Sequence, residues 1–129
     1  MGTADIITKI QLALKKSSED SSIDKKDIRI KISITKGFIK DDIRLSLMKN
    51  TDYLHDLDIK TLLGINALEL IFVNTFLCKT LTNFSKELGV SEKDIDARIY
   101  TKSDDFTPLV YLYSANKPVR PITMEELMS

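Results

Sequence analysis

Cysteine is almost missing from this chain: Cys78 is the only one in 129 residues. No internal disulfide can form, and in the apolar run Leu70 to Leu81 a lone thiol is expected to pack as a small hydrophobe. Histidine is equally scarce. His55 stands alone, and one His with one Cys cannot supply the usual ligands of a zinc site. The four glycines, Gly2, Gly37, Gly64 and Gly89, lie too far apart to build a glycine-rich phosphate loop or a dinucleotide fingerprint. Neither sign of charge is in excess, since 19 basic side chains meet 19 acidic ones. Global charge therefore selects no nucleic acid, membrane surface or polyacid as partner. No long hydrophobic run occurs either. The longest, near Ala67 to Cys78, is interrupted by Glu69, Asn74 and Thr75 and is too short and polar to span a bilayer. The start, Met1-Gly2-Thr3-Ala4-Asp5, lacks the basic segment and apolar core of a signal peptide, so a cytoplasmic location is expected.

What is present suits one globular domain over residues 1–129. Hydrophobic residues make up 43%, too many for a disordered chain. Ile6, Ile7, Ile10, Ala13 and Leu14 recur at spacings of three and four, which predicts a helix that Thr3 can cap. The polar stretch 17–26 reads as a mobile loop. Ile28, Ile30, Ile32 and Ile34 alternate with Arg29, Lys31, Ser33 and Thr35, a half-buried strand. Lys36-Gly37 offers a turn. Ile43, Leu45 and Leu47 predict a returning strand, although Ile39, Ile43 and Leu47 also fit a helix, so 39–48 stays open between the two. Asn50-Thr51-Asp52 closes this unit, and Asp58 can cap a short helix through Leu63.

Asn66 and Glu69 have the spacing of a capping box for a main helix from Ala67 to Leu88, which Gly89 ends. The first half of that helix is apolar on nearly every side, through Leu68, Leu70, Ile71, Phe72, Val73, Phe76 and Leu77. One sheet covers one face, so something else must cover the rest. Ile95, Ala97 and Ile99 predict a third strand, Ser103-Asp104-Asp105 a turn, and Leu109 to Tyr113, opened by Pro108, a fourth. Pro118 and Pro121 hold residues 115–129 as an extended tail, with Thr123 and Glu126 capping a last turn of helix. The fold expected is α+β: an antiparallel sheet of two hairpins packed on a long central helix, with an N-terminal helix and a short C-terminal helix. No internal repeat is visible.

Catalytic chemistry finds little support. His55 would need a nucleophile such as Ser46 or Cys78, and neither lies in a nucleophile motif. The acidic pairs Asp41-Asp42 and Asp104-Asp105 fall in predicted turns, and Glu125-Glu126 falls where a helix dipole favours negative charge. Asn83-Phe84-Ser85 has the form of a glycosylation sequon but falls on a helix. The expectation is a protein without catalytic residues, metal or cofactor.

Two features point to partners. Lys25 to Lys49 holds eight basic residues against Asp27, Asp41 and Asp42. Arg29, Lys31, Lys36, Lys40 and Arg44 could contact phosphates, the basis of a nucleic-acid alternative. No aromatic residue interleaves with these charges in the sequence, as single-strand stacking would need. The second feature is the run of Tyr111, Tyr113, Val119, Ile122, Met124, Leu127 and Met128, an aromatic and methionine mixture of the kind interfaces favour. It could equally fold back on the main helix as core.

The order helix, sheet, helix, sheet, helix resembles the small adaptor chaperones of bacterial type III and type IV secretion. The ending Pro118-x-Arg120-x-x-Thr123-x-x-Glu126-Leu127-Met128 is similar to the tail of a type IVB secretion adaptor. The basic first hairpin and the loop after the first helix depart from that pattern. The resemblance implies a protein-binding adaptor or chaperone that works as a dimer or heteromer, with another protein or a second copy as partner and no membrane insertion.

Overall fold

The computed structural model describes residues 3–101 and 105–128. Among these the chain forms four helices and six strands: α1 (Thr3–Ser21), β1 (Ile28–Thr35), β2 (Asp42–Lys49), β3 (Asp52–Leu57), α2 (Ile59–Leu63), α3 (Ala67–Leu88), β4 (Ile95–Thr101), β5 (Pro108–Ser114), β6 (Lys117–Ile122) and α4 (Met124–Met128). The strands make one antiparallel sheet in the order β3-β2-β1-β4-β5-β6. Each half of the chain is therefore a helical segment followed by a three-stranded meander. The halves join where β1 pairs with β4, Ile30 opposite Ile99 and Ile32 opposite Ala97.

The alternation in β1 sets the two faces. Ile28, Ile30, Ile32 and Ile34 are all buried on the side where α1 and α3 pack. Leu45, Leu47, Ile95, Ala97, Ile99, Val110 and Leu112 complete the same layer. Segment 42–49 is strand and not helix, because all eight residues pair with β1.

The predicted hairpins each gain a third strand. Asn50 takes a left-handed φ of 54°, and β3 returns along β2. Ala115 and Asn116 take φ of 50° and 65°, the pair of positive values a tight two-residue turn demands. β6 then pairs with β5. Within the described residues, 115–128 are thus not an extended tail. Residues 117–122 are extended, as the prolines require, but they form an edge strand of the sheet. The expected loop 17–26 is also shorter than its polarity implied. α1 runs to Ser21 and ends in a Schellman turn with left-handed Ser22, where Ile23 N–H donates to Ser18 C=O at 3.0 Å. A serine at this position gives no sequence signal of a stop.

Both capping boxes form. Asn66 Oδ1 accepts from Glu69 N–H at 2.8 Å, and Thr123 Oγ1 accepts from Glu126 N–H at 3.0 Å. Gly89 ends α3 at φ 67°. The Thr3 side chain and most of the Ser103-Asp104-Asp105 turn lie outside the described residues. No described helix is long and apolar enough to cross a membrane.

Candidate functional site

α3 is amphipathic only in its second half. Leu77, Leu81 and Phe84 point into the core, while Leu68, Ile71 and Phe72 of the first half stay exposed, Phe72 at 67%. The chain's own covering elements leave this strip bare. Ile6, Ile10 and Leu14 of α1 and Met124 and Leu127 of α4 are buried in the common core. Between α1, α3 and α4 an open groove of about 490 Å3 remains, walled by Ile6, Ile65, Phe72, Val73, Phe76 and Met128, with Glu69 as its charged member.

The other shoulder of α3 holds the β1–β2 hairpin. Asn74 is buried in α3, where its Oδ1 accepts from Ile43 N–H at 2.5 Å and its Nδ2 donates to Asp41 C=O at 3.1 Å. Lys36 Nζ bonds Asp41 at 3.0 Å and Glu92 at 2.5 Å, and these acids raise its pKa. Beyond this anchored base the tip carries Phe38 at 106% exposure and Ile39 at 94%. Gly37 is required there, since a Cβ on it would lie 2.0 Å from Lys40 C=O.

The interface residues expected from the sequence divide. Ile122, Met124 and Leu127 are core, Met128 is half-buried in the groove, and Val119 is exposed on edge strand β6. Tyr111 and Tyr113 meet edge to face at 6.1 Å on the side of the sheet opposite the helices. One linear segment therefore does not form one surface.

The basic hairpin residues divide too. Arg29, Lys31 and Arg44 share the open face of the sheet, whereas Lys36 and Lys40 lie in the turn beside Asp41, Asp42 and Glu92. Aromatics do interleave with the charges on the open face, contrary to the sequence expectation, because partners arrive from neighbouring strands. Arg29 lies over Tyr100, Arg44 over Tyr53 and Arg98 over Tyr113. Two of these arginines are also ion-paired. Arg44 bonds Asp56 at 2.8 Å, which lowers the Asp56 pKa, and buried Arg98 bonds buried Asp96 at 2.9 Å.

His55 is exposed on β3, its Nδ1 3.0 Å from Asp56 C=O. Cys78 is half-buried on α3, and burial is the main cause raising its thiol pKa, the opposite of an activated nucleophile. Ser46 is buried on β2. Among the described residues no three His, Cys, Asp or Glu side chains converge as a metal site.

The sequence raises no functional expectation for Phe38 or Ile39, and Ile39 enters only as a possible helix position. An apolar pair between two lysines in a predicted turn was the available signal. Compared with known proteins, the chain matches no family model, no curated protein and no solved structure.

Proposed function

We propose that this protein is a non-enzymatic protein-binding adaptor or chaperone, working as a dimer or heteromer, and that the first half of α3 is its docking surface. One observation carries the reading. Leu68, Ile71 and Phe72 remain exposed although α1, α4 and the sheet have all packed. A helix apolar on most sides is stable in water only when another surface covers it. The nucleic-acid alternative draws less support, because Arg44 and Arg98 are held by carboxylates and Lys36 by two acids.

A photo-crosslinking residue placed at Phe72 tests the reading in the intact protein inside its host. A discrete protein adduct at this position, missing when the probe replaces exposed Lys49 on β2, is the expected result. Equal labelling at both positions, or none at Phe72, would overturn it.

A further inference from the structure

The exposed strip of α3 has a knob on one shoulder and a hollow on the other. Successive helix residues turn by about 100°, so Glu69, Val73 and Phe76 flank one side of the line Leu68, Phe72, Thr75, Lys79. Ile71, Asn74 and Cys78 flank the other. The groove opens on the first shoulder, and the anchored Phe38-Ile39 tip stands beyond the second. The bonds that hold the base of the tip are made by Asn74, level with Phe72, Val73 and Phe76 of the groove wall.

We propose that a second copy of this chain covers the strip, with Phe38 and Ile39 of each copy seated in the α1–α3–α4 groove of the other. This rests on the reading of α3 as a docking surface and names its occupant. A two-fold axis running along the strip exchanges the shoulders, so knob meets hollow twice, as a closed symmetric dimer requires. The area fits. Apolar side chains of this size each carry on the order of 150 Å2, and with Leu68, Ile71 and Phe72 only half to two-thirds exposed the five together present roughly 500–600 Å2, the larger part of the ~800 Å2 that one partner contributes to a standard interface.

Charge fits as well. Lys40, next to Ile39, is only 3.9 Å from Asp42, a loose pair, and docking carries it to Glu69 in the opposite groove. The knob is also preorganised, by Gly37 in the turn and by the two Asn74 bonds at its base. Little ordering is therefore lost on association.

Sedimentation of the full chain tests this. The parent is expected to dimerise at micromolar concentration. Phe38→Asp/Ile39→Asp and Phe72→Glu should each weaken dimerisation at least about tenfold, with unchanged circular dichroism, since these side chains are mostly in water. Mixing the two variants restores one of the two knob–groove contacts, so a mixed dimer should form more tightly than either variant alone. If the Phe72 variant misfolds, the tip variant decides alone.

A parent that stays monomeric to about 100 μM overturns the proposal, as does mixing without rescue. Tip-dependent binding of the monomer to phosphatidylserine vesicles would assign the knob to lipid and also overturn it. A monomer that still gives a Phe72 adduct with a different protein overturns this inference and leaves the docking reading standing. A monomer with no adduct overturns both.

Discussion

Asp96 and Arg98 show how one residue pair can govern stability. Both are buried on the open face of the sheet, where Arg98 also donates to Asn116 Oδ1 at 2.9 Å and stacks 3.9 Å from Tyr113. Burial raises the Asp96 pKa from its ordinary value, and the Arg98 bond and the charges of Arg98 and Lys31 pull it back only partly. The sign follows from which state keeps its proton. Below the ordinary value of about 4, Asp96 is protonated folded and unfolded. As pH rises, the unfolded chain releases its proton first, so stability falls until the folded pKa is passed. Arg98→Ala removes the compensating cation and extends that window upward. The variant should lose about 3–5 kcal/mol near neutral pH, a buried charge left without its partner. Urea melts across the acid range should show the gap to the parent narrowing toward pH 4. A gap independent of pH would mean that Asp96 does not carry the loss.

At the scale of elements, the β1 alternation is the strongest signal in the sequence, and the structure follows it. Ile32 lies 3% exposed beneath the helices. Ile32→Asp puts a carboxylate there without a partner, at a cost of several kcal/mol against a total of order 5–15. Loss of the cooperative thermal transition is expected, and a parent-like melt would mean that β1 is placed in the wrong register. The strands and caps that were legible share a local cause: period-two isoleucines, an Asn66–Glu69 box, a glycine at 89. The parts that were not legible lack one. β3, Asp52 to Leu57, is an exposed edge with no clean alternation, and β6 contains Pro118 and Pro121, which read as extended but not as paired. Ser22 stops α1 without a glycine. The bare strip of α3 was half legible. Excess apolar surface on the main helix could be counted from the sequence, but which side stays bare depends on where α1 and α4 pack, a tertiary fact. The aromatic partners of Arg29 and Arg44 were hidden for the same reason, since they come from other strands.

For the molecule as a whole, the seam between β1 and β4 is, among the described residues, the one strand pairing that joins the two meanders. Ile28, Ile30, Ile95, Ala97 and Ile99 along it are nearly or fully buried. Amide exchange should therefore be slowest there, approaching the global unfolding free energy, and fastest in β3, whose outer edge has no strand beside it. Equal protection of β3 and β1 would show that β3 is covered in solution. The two edges also differ in kind. β6 carries two prolines, which discourage further pairing, while β3 carries none and relies on its bulge near Leu47 and Met48 and on its short length.

The same seam imposes a waiting time while the chain is being made. β1 leaves the ribosome with β2 close behind, but β4 follows roughly sixty residues after it, several seconds at ~5–20 residues per second. In that interval the row of isoleucines has a free edge and no helix α3 above it. Such a segment is a template for pairing with neighbouring nascent chains. Arg29 and Lys31, which alternate with those isoleucines, would place like charges where two such strands meet, so the residues that first suggested a phosphate contact also carry the pattern of gatekeepers against self-pairing.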